Sequence, residues 1–510
     1  MTKTDRKSQA EVVRFLMSPA TYPVPGTVSH IETHGAHIFL CGDVALKIKR
    51  AVCYDYMDLS TLKLRHALLD RELVLNRATA PNIYRDVVPI SRSPDGALHL
   101  NGKGHVVEWV LRMNRFPADC EMPAVAASGR LTDGVAEALG RVIHEFHAGC
   151  PLRTEPGDAL IRDILDELAR VLSPFAASLG SGQISAFLDM ARQSLANLAP
   201  LLRQRSASGH VRRVHGDLHL RNLLLIDGRP VLFDALEFDE RLATCDVLYD
   251  LGFLLMDLCH QSFARQANAV LNAYLLAASG AEDAGLAALP LFMTVRAAIR
   301  AMVALQTDQA KGQPGASAAE ASRYLTQAVG HLQARKPLLL AVGGLSGTGK
   351  TVLARHLSPL IGGCPGAVHL RTDTERKQGA TSVSYAPAAR GAVYRQMLAR
   401  AATLIAAQSS VILDGTFLDE AQRHSAQDLS EQSGACFRGL WLTAPPAILM
   451  DRVTRRRGDA SDADAAVVQA QIAAAQMGAE AEMPGWIPID AGGTADATRD
   501  AALAVLARLP

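Results

Sequence analysis

His215-Gly-Asp-Leu-His-Leu-Arg-Asn222, followed by Leu-Leu-Leu-Ile-Asp-Gly-Arg-Pro-Val-Leu-Phe-Asp234-Ala-Leu-Glu237, is the stretch around which the chain is organised. An acidic residue, Asp217, is followed five positions later by Asn222 and then by two short apolar runs. Leu223 to Ile226 and Pro230 to Phe233 read as strands joined by an Asp227-Gly228 turn, because Asp-Gly between alternating apolar residues favours a tight hairpin. Closing that hairpin brings Asn222 and Asp234 out at the same end. Polar turns before hairpins also contain His, Asp and Asn for conformational reasons alone, but here five polar positions hold a fixed spacing.

Length and composition bound what surrounds this stretch. The chain has 510 residues, enough for about three domains. Lys plus Arg number 52 against 51 Asp plus Glu, so no overall field draws the protein to nucleic acid or an anionic membrane. Neither is an expected partner. The eight cysteines, at 41, 53, 120, 150, 245, 259, 364 and 436, form no C-x-x-C pair and no zinc-spaced cluster. They read as reduced thiols of a cytoplasmic protein. Met1 to Ser8 carries charge without an apolar segment behind it, so no signal peptide is expected. The most apolar helix candidate, Leu286 to Leu305, has Arg296 and Arg300 near its middle, which favours a core helix over a membrane span.

In its wording, His-Gly-Asp with His219 and Asn222, the opening stretch resembles the aminoglycoside phosphotransferase and choline kinase superfamily. The resemblance covers residues 28 to 330 and implies a bilobal protein-kinase-like fold. It also implies that Asp217 accepts a proton from a substrate hydroxyl while Asn222 and Asp234 hold magnesium on ATP. Upstream, Val44-Ala-Leu-Lys47 matches the kinase third strand, making Lys47 the first choice to pair with nucleotide phosphates and with a Glu on the next helix. Lys49 lies on the same strand face and is the reserve. The helix from about Ser60 to Thr79 offers Glu72 as partner, with surface pairing to Arg71 or Arg65 as the alternative. Glu108 to Val110 is the expected hinge beside adenine. Only Gly35 and Gly42 precede Lys47, so no G-x-G-x-x-G loop closes over phosphates.

After Thr132 the pattern is helical: Val135 to Ala148, Asp158 to Leu179, Ile184 to Gln204, and beyond the hairpin Phe263 to Ala278, Leu289 to Thr307 and Ala318 to Ala334. His144 and His147 read as core histidines without chemistry. Asp246, Asp250 and Asp257 recur along an otherwise apolar helix, and the resemblance implies that the Asp preceding such a helix buttresses the catalytic loop.

A second site begins at Lys336-Pro-Leu-Leu-Leu-Ala-Val342, a buried strand running into Gly344-Leu-Ser346-Gly347-Thr348-Gly349-Lys350-Thr351 and a helix. This is G-x-x-x-x-G-K-[ST] in its strand-to-helix setting. Backbone N–H groups and the helix N-terminus suit phosphate, Lys350 reaches its β and γ groups, and Thr351 suits magnesium. The region resembles small P-loop kinases such as gluconate kinase, zeta toxins and the kinase half of polynucleotide kinase. That resemblance implies Asp373 as the acceptor's base, Arg376 as a substrate-binding residue and Asp414 as a Walker B-like magnesium residue. Helix capping is the alternative for both aspartates. Asp451 to Arg457 falls where such kinases place a lid, with Arg452 and Arg456 expected over the transferring phosphate.

The expected organisation is therefore an α/β and α+β chain in two domains: a leader helix (1–27), a kinase-like domain (28–335, small lobe to about 110) and a P-loop domain (336–510). The expected cofactors are ATP and Mg2+, and the expected partner is a small-molecule hydroxyl acceptor. The alternative is that one half, the N-terminal one, is a silent nucleotide-binding module regulating the other. The acceptor and the oligomeric state stay open.

Overall fold

The structure is a computed structural model and describes residues 3–23, 26–54, 57–179, 181–313, 315–379, 387–455, 465–477, 483 and 485–507. Its contacts divide the chain into two compact units, residues 1–157 with 205–254, and residues 158–204 with 255–510.

In the first unit, strand alternation sorts the side chains of Val44–Lys49 onto two faces. Leu46 and Ile48 join a core with Phe39, Val88, Ile90 and Val110, which the N-terminal helix Lys3–Met17 covers with Val12 and Leu16. Lys47 and Lys49 point the other way, toward helix Leu62–Arg77, whose Glu72 is fully buried. The sheet is antiparallel, in the order Ser29–Glu32, Ala36–Cys41, Val44–Lys49, His105–Asn114, Tyr84–Arg92, Leu98–Leu100. Leu69, Tyr84, Leu111 and Leu224 form a second core that fastens the helix and the hairpin after Asn222 to this sheet.

The hinge expected at Glu108 to Val110 is corrected. Strand His105–Asn114 runs unbroken through it, pairing Asn114 with Val44 on one side and Met113 with Tyr84 on the other. Glu108 is buried in mid-strand because the Arg65 guanidinium bonds both its oxygens, at 3.0 and 3.1 Å. Arg65 is thereby occupied with Glu108 rather than Glu72.

The hairpin forms as the spacing predicts. Leu223–Ile226 pairs with Arg229–Leu232, Leu223 opposite Leu232. Asp227 and Gly228 take φ of 49° and 74°, the left-handed pair that a two-residue turn between twisted strands requires.

The second unit is built on a parallel sheet, ordered Val368–Arg371, Val411–Asp414, Leu338–Gly344, Cys436–Thr443, Trp486–Asp490. Both faces are covered, so its strands are continuous apolar runs. Helices Lys350–Leu357 and Ala495–Leu506 close one face through Leu353, Leu357 and Ala502 against Leu340, Val342, Ile412 and Leu440. The same unit holds helices that the sequence pattern assigns to the kinase-like half, including Ala264–Ala277, Leu289–Ala310 and Ala318–His331. Among the described residues one helix, Asp283–Gln309, is long and apolar enough to cross a membrane, and 67% of its apolar window is buried within the protein.

The expectation of eight thiols is also corrected, since Cys259 and Cys364 form a disulfide within this unit. They are 105 positions apart, and no local spacing announces a pair that only packing brings together. The other six cysteines lie outside this disulfide.

Candidate functional site

The first site forms where the lysine strand, the Glu72 helix and the hairpin meet. Lys47 Nζ lies 2.6 Å from Glu72 Oε1 and 3.1 Å from Asp234 Oδ1. Lys49 is no mere reserve: its Nζ lies 2.6 Å from Glu72 Oε2 and 2.6 Å from Glu237 Oε1. Burial pushes the Glu72 carboxyl up, but the two ammonium groups overcome this and hold it down at about 2. Three carboxylates thus share two lysines, and Asp234 is the most exposed of the three, at 42%.

Asp234 itself sits at φ 57°, a conformation uncommon for a residue with a side chain. Its backbone N–H donates to the Tyr84 hydroxyl at 3.2 Å, and the next N–H, of Ala235, donates to Asn76 Oδ1 at 2.8 Å. Asn222 donates its amide nitrogen to Asp217 Oδ2 at 2.8 Å, leaving the amide oxygen as the end suited to a metal. His219 Nε2 stands 3.4 Å from the same Asp217 oxygen.

The buttress expected from the Asp preceding the helix is corrected: Asp250, inside helix Val247–His260, takes the part. It accepts the backbone N–H groups of His215 and Gly216 at 3.1 and 2.9 Å and meets His147 Nε2 at 3.2 Å. Asp246 instead holds the Arg205 guanidinium at 2.7 and 2.8 Å. His147 therefore supports the His215–Gly216 backbone through Asp250, a role its apolar neighbours conceal in the sequence. A cavity of about 610 Å3 opens beside Leu75, Phe146, Arg213 and Leu232, and none of Asp217, Asn222 and Asp234 lines it.

The second site sits at the end of the sheet's central strand. Gly344 and Gly347 take φ of 131° and 89°, and a Cβ there would meet the Leu442 and Leu449 carbonyl oxygens at 2.5 and 2.9 Å. Gly349, at φ 90°, caps the N-terminus of helix Lys350–Leu357. Lys350 Nζ donates to Leu345 O at 2.9 Å, Thr348 Oγ1 donates to the same carbonyl at 2.8 Å, and the Ser346 N–H donates to Gln471 Oε1 at 2.9 Å. Thr351 Oγ1 donates to Asp414 Oδ2 at 2.6 Å. His369 Nε2 and Arg371 Nε approach that oxygen at 3.2 and 3.5 Å. Burial raises the Asp414 carboxyl, and the His369 hydrogen bond with the charges of His369, Lys350 and Arg371 more than reverses it, so the net shift is downward.

Asp373 and Arg376 occupy one face of helix Thr372–Gly379, 3.4 Å apart. Arg452, expected over the phosphate, instead donates to the carbonyl oxygens of Ala491 and Gly493, each at 2.8 Å. It lies near the end of helix Pro446–Arg455, and these two carbonyls, just past strand Trp486–Asp490, take up its guanidinium. Arg456 and Arg457 lie outside the described residues.

Both sites fit a magnesium nucleotide. Each offers a lysine ammonium and one carboxylate with a neutral oxygen, Asp234 with Asn222 and Asp414 with Thr351. This is the sparse oxygen set suited to an ion that takes its remaining ligands from phosphate and water.

These features define a kinase-like phosphotransferase in which a protein-kinase-like fold is joined to a P-loop fold. Residues 106–289 match the model of the phosphotransferase enzyme family, and residues 339–477 match that of an AAA domain. The chain belongs to the family of the uncharacterized protein Rv2004c of Mycobacterium tuberculosis, with 30% identity over 481 residues, 91% of this chain and 92% of that protein. The uncharacterized protein Mb2027c of Mycobacterium bovis matches to the same extent. Among solved structures the chain is similar to a choline/ethanolamine kinase family protein from Mesorhizobium loti, at 16% identity and TM-score 0.39, covering 64% of this chain and 99% of that one. It is also similar to a gluconokinase from Sinorhizobium meliloti 1021, at 18% identity and TM-score 0.27, covering 34% and 94%.

Proposed function

We propose that this chain transfers the γ-phosphoryl group of ATP to a hydroxyl of a small molecule, with a Mg-ATP site in each half, taken as 28–335 and 336–510. The observation that carries the reading is the meeting of Lys47 with Glu72 and Asp234 beside the Asp217–Asn222 pair. In the first site Asp217 takes the hydroxyl proton as the acceptor oxygen bonds to Pγ and the bond from Pγ to the β-phosphate oxygen breaks, releasing ADP. Lys47 steadies the phosphates, and Glu72 keeps Lys47 charged and aimed. In the second, Lys350 and the loop N–H groups hold the phosphates, Asp373 takes the acceptor's proton and Arg376 binds the acceptor. Magnesium, when bound by Asn222 and Asp234 or by Thr351 and Asp414, would neutralise charge on the transferring group.

One observation favours a second reading, in which the N-terminal site binds nucleotide without turnover. Glu32 pairs with His37, and the Thr33 N–H donates to the Ala36 carbonyl at 2.9 Å, so the connection between the first two strands is a tight turn with little chain to fold over phosphates. A screen of sugars, amino alcohols, aminoglycosides and nucleosides for ATP-dependent phosphorylation, with full-length wild type, Asp217→Ala and Lys350→Ala, tests both. A product lost in Asp217→Ala supports transfer at the first site. Products lost only in Lys350→Ala support the silent reading.

A further inference from the structure

Helix Thr372–Gly379 carries Asp373 and Arg376, and between them Glu375, whose side chain is 1% exposed. A buried carboxylate needs a partner, and Arg400, on helix Pro387–Ala406, donates to it from Nη1. The same guanidinium donates from Nε to Asp283 Oδ2 at 2.9 Å and from Nη2 to Oδ1 at 3.1 Å. Asp283, 2% exposed, opens the short turn Asp283–Ala288 among the helices that the sequence assigns to the kinase-like half. Gly280, at φ 89°, lets the chain pass close enough that a Cβ there would stand 3.5 Å from Arg400 Nε.

Other ties between the same two stretches fix this contact. Asn268 and Asn272, on helix Ala264–Ala277, donate to the Ala367 carbonyl oxygen at 3.0 and 3.3 Å. The His369 N–H donates to Asn272 Oδ1 at 2.7 Å and the Ser358 hydroxyl to Asn268 Oδ1 at 2.7 Å. These bonds cover the edge strand Val368–Arg371, from which the Asp373 helix springs, and the Cys259–Cys364 disulfide joins the same regions.

We propose that Arg400, gripping Glu375 with one edge and Asp283 with the other, is a positioning residue that sets the acceptor side of the P-loop site from the helices of the kinase-like half. The proposal rests on the reading of Asp373 and Arg376 given above. It makes the P-loop chemistry depend on residues before 336.

Full-length Arg400→Ala, Arg400→Lys and Asp283→Asn test this by amide hydrogen exchange, a measure of local opening, together with ADP formation from Mg-ATP. Expected is exchange about tenfold faster over 372–379 in Arg400→Ala, with 344–351 and 411–414 within about twofold of wild type and recovery in Arg400→Lys. ADP formation should fall with little change in the KM for ATP. Unchanged exchange over 372–379 in both Arg400→Ala and Asp283→Asn would overturn the proposal, as would equal loosening of all three segments, which marks simple destabilisation. Asp373→Asn in the wild-type background separates the two levels. If it leaves phosphoryl transfer intact while Arg400→Ala still loosens 372–379, the role of Asp373 fails and the positioning by Arg400 stands.

Discussion

Glu72 is the residue on which the first site turns, because it is fully buried and clasped by two ammonium groups. Its carboxyl is held down at about 2 against an ordinary 4.5. A depressed carboxyl stabilises the fold above its unfolded value and loses that contribution as pH falls. Stability from the cluster is therefore complete above about pH 4.5 and drains away toward pH 2. Glu72→Gln, which removes the shared partner of a buried ionic group, is expected to cost about 3–5 kcal/mol at neutral pH. It should also flatten the fall in stability between those two pH values, read by denaturant titration at each pH. At the hairpin, two aspartates should part company when changed in a Lys350→Ala background that silences the second site. Asp217→Ala should lose about 10²–10⁴-fold in transfer with nucleotide affinity nearly intact. Asp234→Ala should weaken Mg-ATP binding itself. Equal effects on affinity would reassign Asp217 to the metal.

At the scale of elements, what the sequence discloses is whatever local chemistry dictates. The Asp227-Gly228 turn set the hairpin register, and with it the meeting of Asn222 and Asp234. The glycines of 344–349 required a loop that no side chain could follow: Gly347→Ala would place a methyl 2.9 Å from Leu449 O at φ 89°. That change should weaken nucleotide binding at the P-loop site while leaving the first site's affinity untouched, as fluorescent-nucleotide titration would show. What stayed hidden depends on distant packing. Lys49 and Glu237 are 188 positions apart, and neither residue type alone announces the bond. Two strong β-formers and a buried ion pair kept strand His105–Asn114 going through the expected hinge. Arg452 looked like a phosphate ligand by position, yet carbonyls of the following strand's exit claim it. His147 could have been found by asking which partner a histidine on a buried helix face must have.

For the whole molecule, the consequence is that sequence families and packed units do not share their borders. The P-loop sheet is packed with helices from before residue 336. Severing the chain at 335 would strip the Asn268 and Asn272 bonds from an edge strand and leave Glu375 and Arg400 without Asp283. A 336–510 fragment should then show a broad, low thermal transition, whereas a fragment melting as cooperatively as the full chain would mean that these ties are dispensable. The central claim is two Mg-ATP sites on one chain, and calorimetric stoichiometry tests it directly. Wild type should bind two nucleotides per chain, Lys350→Ala one, Lys47→Ala one, and the double variant none. A single nucleotide per wild-type chain, lost entirely in Lys350→Ala and unaffected by Lys47→Ala, would contradict the account.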